Sequence, residues 1–494
     1  MVTAFFVGTT IAQAVSVEWG GQLRPRAEYN EQAGFNDPGA GQNGSRNGDY
    51  FVSTRIRLQA KADILPDTSA FIQLQSVRNY GNDLEGITTG ANVATPNGAG
   101  PGLGGSSGGS GNASFSPSDN DNTVGVHQAY FTLKNFATLP VDLKFGRQEV
   151  VLDGHRIFGN TVWTQGAQSH DAIRLTNHTG NLTTSYIYAI GNESARGAAG
   201  ANDTGDIEIH TVFANYQGIL GGALSLYFVA LDDSCSNGGG AGGSGCRSTP
   251  ASPLDNNLYT IGFRQAGQLY GIDYRGEFYY QFGQAEGEAT NFAAGAFTNG
   301  GFSTIQGADR SAYMIGARVG KKFNNVMWKP SLTFWYDYLS GTSDADARKG
   351  NMNTFNTLFD TGHKFYGFMD LFLPANGAGT KRLGLVDYSI KSSLQPAKGW
   401  KFKAAWHYFT TAEGIDANSA ISGASAAGPH DNNNDLGNEI DLTLVHKYNA
   451  NTTISAGWSK FYQEQGFEVV NGAASGTGNP TPANWAYLMF DVKF

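Results

Sequence analysis

Hydrophobic and polar positions alternate at the end of this chain. Ala486, Leu488, Phe490, Val492 and Phe494 form one row, and Tyr487, Met489, Asp491 and Lys493 form the other. A period of two with one apolar face predicts a β-strand whose sides meet different solvents, as in a barrel that alternates lipid-facing and lumen-facing residues. The opening stretch repeats the pattern, with Val17, Trp19, Gly21, Leu23, Pro25, Ala27 and Tyr29 set against Glu18, Gln22, Arg24, Arg26, Glu28 and Asn30. An open strand edge in a bilayer leaves backbone groups unsatisfied at several kcal/mol each, so the first and last strands are predicted to pair. Trp19 and Tyr29 would then stand about 25 Å apart along the membrane normal, the height of an apolar band between two aromatic girdles.

Segments of the same period recur at 15–30, 50–63, 68–79, 124–134, 141–151, 169–176, 182–191, 206–216, 222–231, 257–266, 271–284, 310–322, 327–340, 383–394, 400–411, 437–448, 452–463 and 484–494. That is eighteen candidate strands, least regular across 141–176. Short connections, such as Leu65 to Thr68 and Asn449 to Asn451, alternate with long ones at 31–49, 80–123, 232–256, 285–309, 341–382, 412–436 and 464–483. Short periplasmic turns and long extracellular loops are the mark of a transmembrane barrel, which places both chain ends in the periplasm. The expectation is an all-β protein: a single antiparallel transmembrane barrel of about eighteen strands. Its circumference is too wide for side chains to fill, so the interior is expected to be an aqueous channel.

Composition agrees. The 494 residues include 67 glycines, with 12% aromatic and only 15% charged residues, which suits short strands joined by Gly-rich loops. Beyond the extreme N-terminus no apolar run reaches the roughly 18 residues that a spanning helix needs. Residues 1–14 carry an apolar Ala4 to Ile11 stretch and then Ala12-Gln13-Ala14, the small-x-small pattern of a secretory cleavage site, without a basic leading region. We read 1–14 as a signal peptide with a truncated start and 15–494 as the barrel. Cys235 and Cys246 flank a Gly-rich loop, and an even count in an exported chain predicts a disulfide within that loop.

The inward rows carry the chemistry. Basic residues predicted to face the lumen are Arg24, Arg26, Arg55, Arg57, Lys61, Arg174, Arg264, Arg275, Arg318, Lys401 and Lys403. Arg24 and Arg26 fall at the height of Arg55 and Arg57 on the neighbouring strand, where opposed like charges are destabilising. Either a passing anion relieves that repulsion, or lumenal acids such as Glu18, Glu28, Asp273, Glu277, Asp337, Asp387, Glu439 and Asp441 do so within a structural ion-pair network. Rings of charge are how wide pores select ions, which favours an anion path. The 80–123 loop reads as an external segment, whereas 341–382 holds Phe355, Leu358, Phe359, Phe365, Tyr366, Phe368 and Met369 and is expected to fold over or into the channel mouth. No catalytic site, metal site, cofactor or nucleic-acid partner is expected. There is no Gly-x-Ser-x-Gly or His-Glu-x-x-His, the Asp119-Asn-Asp121 segment lacks the Glu of a calcium loop, and His127, His170, His210 and His407 are scattered singly.

Several stretches resemble the alginate-export family of outer-membrane porins. They are Thr54 to Leu58, Gly146 to Glu149 with Gly154 to Gly159, Asp171 to Leu175, Thr354 to Asp370 and Gly437 to Leu442. The resemblance implies an Arg/Lys-lined lumen conducting a secreted polyanionic polysaccharide, loops that act as lids, and basic positions at Arg55, Arg57, Arg147, Arg156 and Arg174. His155 beside Arg156 departs from the family pattern, and the many lumenal acids leave the polymer open. Expected partners are outer-membrane lipid and lipopolysaccharide, an anionic small molecule or polysaccharide, and a periplasmic secretion scaffold. The alternative is a general porin, or a barrel whose loops bind a ligand or partner without exporting polysaccharide.

Overall fold

The computed structural model describes residues 15–31, 49–80, 124–192, 207–233, 257–285, 309–347, 349–373, 378–415, 434–470 and 483–494. Residues 1–14 and the Cys235–Cys246 loop lie outside them. Among the described residues eighteen strands form the wall: β1 (Ser16–Asn30), β2 (Asp49–Leu65), β3 (Thr68–Asn79), β4 (Gly125–Leu133), β5 (Asp142–Gln148), β6 (His170–Thr179), β7 (Leu182–Asn192), β8 (Ile207–Ile219), β9 (Gly222–Asp233), β10 (Leu258–Leu269), β11 (Ile272–Gln284), β12 (Asp309–Lys322), β13 (Ser331–Leu339), β14 (Leu385–Leu394), β15 (Trp400–Thr410), β16 (Asp435–Lys447), β17 (Thr452–Gln463) and β18 (Ala483–Lys493).

Each strand pairs antiparallel with the next, and β18 pairs with β1, so the sheet closes. Closure runs to the last residue, where Gly21 N–H donates to Phe494 O at 2.7 Å and Phe494 N–H donates back to Gly21 O at 3.1 Å. The outward row presents Trp19, Leu58, Ile72, Val212, Leu226, Phe334 and Leu488, all substantially exposed, and this apolar band is the surface that lipid covers. The short turns gather at one end of the cylinder. In the β10–β11 hairpin Tyr270 and Gly271 both take positive φ, 52° and 76°, which matches the twist of the strands they join and explains a glycine in the second place.

The interior departs from the expectation of a channel filled with water throughout. Two segments enter the cylinder: 149–169 between β5 and β6, and 351–373 between β13 and β14. With the inward rows of β7 to β12 they build a dry core in which Ile187, Ile209, Val229, Leu231, Tyr279 and Met314 pack against Val150, Leu152, Phe158, Leu358 and Phe359. The apolar content of 341–382 foreshadowed one insert. The other was hidden in the stretch that had looked merely irregular. The inserts join each other by main-chain hydrogen bonds, with Gly159 N–H donating to Phe359 O at 2.8 Å, Phe359 N–H to Ile157 O at 3.0 Å and Thr361 N–H to His155 O at 3.0 Å. A Cβ on Gly159 would lie 2.1 Å from Thr361 Oγ1, so only glycine permits this approach.

Candidate functional site

Arg24 and Arg55 are register partners on β1 and β2. They are 4% and 2% exposed, so their repulsion must be answered by other groups. For Arg24 and Arg55 the answer is neither of the two the sequence offered, whereas Arg26 does pair with Glu28, one of the expected lumenal acids. Main-chain carbonyls of the first insert fill the arginine forks: Arg24 donates to Val162 O at 2.6 Å, Thr164 O at 3.0 Å and Trp163 O at 3.1 Å, while its Nε and Nη2 both reach Gln165 Oε1. Arg55 donates more weakly to the carbonyls of Val162, Thr164 and Gln165, at 3.3 to 3.4 Å. Arg26 donates to Trp163 O at 2.8 Å, pairs with Glu28 at 2.7 Å and lies with its Cζ 4.5 Å from the Trp163 ring centroid. Arg57 is held by Gln75 at 2.7 Å, with His127 at 3.0 Å and Glu149 at 3.7 Å beside it. These four arginines anchor an insert.

Trp163 continues the contact across the lumen, stacking on His363 of the second insert with centroids 4.2 Å apart and an interplanar angle of 1°. His363 in turn pairs with Asp370 at 2.9 Å and stacks on Phe368 at 4.9 Å. Arg156, fully enclosed, donates to Asp337 at 2.7 Å, to Glu277 at 3.1 Å and to Tyr366 Oη at 2.9 Å, with its Cζ 3.7 Å from the Phe365 ring centroid. Near this centre burial pushes the Asp360 carboxyl up to about 8, against the pull of Arg156.

The opposite wall carries cations whose donors are not used up. Arg264 approaches Asp153 at 3.8 Å and Glu277 at 4.0 Å, and Arg275 approaches Glu277 at 3.7 Å. Arg318 makes no ion pair among the described residues; its Cζ lies 3.1 Å from the Trp335 ring centroid. Arg318 Nε and Nη2 and Arg275 Nη2 are enclosed without a hydrogen-bond partner among the described residues. Arg174 also faces inward and reaches Ser185 at 3.3 Å. Lys401 and Lys403 lie on the inward row of β15, towards the short-turn end.

Arg147 is a correction. Its register row runs through Asp171 to Ile190 on the outer side, and it forms a two-pronged pair with Asp171 at 2.6 and 2.8 Å. It shares the parity of Phe145, which is 46% exposed, and so does not line the lumen. The acids gather elsewhere: His407 Nδ1 lies 2.9 Å from Asp387, Ser459 donates to Asp441 at 2.6 Å, and Met369 N–H donates to Glu439 at 2.9 Å. Trp163, Trp335, His363 and Lys391 went unremarked in the sequence. Trp335 and Lys391 were open to discovery, since each stands on the inward parity of its strand.

A closed cylinder with an apolar outer band, enclosing charged groups and inserts that meet inside it, defines an outer-membrane pore protein. The chain belongs to the alginate export family, which it matches over residues 15–466. Its place is the Gram-negative outer membrane, where it forms a pore for the passage of substrate. Among solved structures it is similar to OccAB3 of Acinetobacter baumannii (11% identity, 97% of this chain and 99% of that one, TM-score 0.52) and to OccK9 (OpdG) of Pseudomonas aeruginosa (11%, 97% and 98%, 0.51). OccAB2 of Acinetobacter baumannii is a third (12%, 96% and 98%, 0.50). At such identities the likeness is one of fold. No curated protein sequence matches the chain.

Proposed function

We propose that the protein gives anionic solutes, carbohydrate acids foremost, a passive route across the outer membrane and carries out no bond-making chemistry. One observation carries this reading: on the lumenal wall Arg264 and Arg275 share Glu277 with Arg156, and Arg318 makes no ion pair among the described residues, so the cations outnumber the acids that answer them. A carboxylate moving past this wall would supply part of the missing counter-charge. Clustered cations in a narrow wet passage also raise the local anion concentration. Small solutes fit the interior better than a polymer, because threading a chain would part the hydrogen bonds by which the two inserts meet.

Planar-bilayer reversal potentials under a salt gradient test the reading. The unaltered protein is expected to favour anions, and Arg275→Gln with Arg318→Gln to lower that preference. Cation preference in the unaltered protein would overturn it.

A further inference from the structure

On β16, Glu439 and Asp441 stand two residues apart on the inward row, and both are buried. Each has one oxygen satisfied. Glu439 Oε1 accepts from Met369 N–H of the second insert at 2.9 Å, and Asp441 Oδ1 accepts from Ser459 of β17 at 2.6 Å. Their other oxygens, Glu439 Oε2 and Asp441 Oδ2, are enclosed with no donor among the described residues, and the two side chains lie within hydrogen-bonding reach of each other. Two ionised carboxylates are acceptors only, so that bond exists when one of them carries a proton. The second insert roofs the pair. Besides the Met369 bond, the Gly367 main chain presses on it so closely that a Cβ there would lie 2.6 Å from both Glu439 carboxyl oxygens.

The surroundings call for that proton. Facing the pair are Asp337 on β13, Asp387 and Lys391 on β14, His407 on β15, Tyr487 on β18 and Asp370 in the second insert, while β17 offers Ser459 and Phe461, neither charged. Asp337 lies against Arg156 at 2.7 Å, Asp387 against His407 Nδ1 at 2.9 Å and Asp370 against His363 at 2.9 Å. His407 turns its Nε2 towards Asp441 Oδ2 at 3.8 Å. Lys403 stands a row nearer the short-turn end, beside Lys401. Lys391 remains, set among Asp337, Asp387, Glu439 and Asp441, so the pair brings two carboxylates against one ammonium. One shared proton balances them. From this geometry we infer that Glu439 and Asp441 form a proton latch that sets whether the second insert stays down in the lumen. With the proton in place the insert docks; once it is lost, two adjoining anions repel and need water, which parting from Gly367 and Met369 admits. Docking is therefore favoured at low pH and loses this contribution as rising pH strips the pair of its proton. The passage narrows in acid and widens in base. The inference assigns regulation to the proposed passage, and rests on that reading only for its measurement by conductance.

Two measurements on the full-length protein test it: single-channel conductance at equal pH on both sides of a bilayer, and exchange of the Met369 amide in detergent micelles, corrected for intrinsic chemistry. From about pH 5 to about pH 9, conductance is expected to rise roughly twofold and Met369 exchange roughly tenfold. Glu439→Gln and Asp441→Asn each set a fixed amide donor where the proton lay, and both should keep low conductance and slow exchange throughout, with the migration shift on boiling retained. Asp360→Asn removes a separate titrating group from the same insert and should leave the rise at Met369 in place. A flat profile of either quantity in the unaltered protein would overturn the latch. So would an unchanged pH response in both amide variants, high conductance at every pH in both, or loss of the Met369 response in Asp360→Asn. Cation preference with the Met369 profile as expected would overturn the passage reading and leave the latch standing.

Discussion

Arg24 illustrates how a guanidinium can serve a loop instead of a solute. Its fork is occupied by three main-chain carbonyls and Gln165, so Arg24→Ala is expected to free residues 161–167 from the wall at a cost of about 1–3 kcal/mol in docking. Amide hydrogen exchange should accelerate in that stretch and stay unchanged in β7 to β12. The positions of Arg24, Arg26, Arg55 and Arg57 were legible from alternation alone. What fills their forks was not, because a carbonyl acceptor has no side-chain signature and any sequence supplies one. Asp360 sets a second expectation. Its carboxyl titrates at about 8 in the folded protein against an ordinary 3.8, so the docked insert holds the proton more tightly than the undocked one. Docking of 351–373 is therefore favoured fully below about pH 4 and loses that contribution as pH rises through about 8. Exchange rates across Phe355 to Tyr366, corrected for intrinsic chemistry, should rise between pH 6 and 9 in the unaltered protein and much less in Asp360→Asn; a flat profile in both would refute this.

At the scale of elements, wall and inserts obey different rules. The wall strands are written in period two, so their lipid face, register and closing pair could all be read from the chain. Their inward side was less legible. Ile187, Ile209, Val229 and Met314 are apolar on the inward row, and an aqueous channel was expected where an apolar core lies. The inserts have no period at all: they follow an irregular path fixed by tertiary contacts. Residues 149–169 therefore lay mostly unassigned between the candidate strands 141–151 and 169–176, in the least regular part of the chain, while 341–382 betrayed itself only by too many apolar side chains for a solvated loop. Their junction is narrow. Gly159→Ala would place a methyl 2.1 Å from Thr361 Oγ1, so the inserts should separate there at about 1–3 kcal/mol, and Thr361→Ala should recover part of the loss. Single-channel records would show the separation as added gating noise, reduced in the double variant.

For the whole molecule, every seam of the wall is closed by strand pairing, so the wall is expected to stand without the second insert. Replacing 353–381 with a short Gly-Ser linker is expected to preserve the migration shift on boiling and to raise conductance roughly twofold or more, since the main lumenal obstruction goes with it. Loss of the shift would mean that the insert holds the cylinder together. The seam between β1 and β18 has a different consequence, one of timing. The hydrogen bond from Gln22 to Asp491 spans 469 positions, and Gly21 meets Phe494 itself. Pairings between successive strands can form as soon as each hairpin exists, but this one must wait until β18 has been made. Until β18 is made, β1 keeps an open edge that no other strand of the wall answers, so a chain lacking β18 is expected to leave the cylinder unclosed.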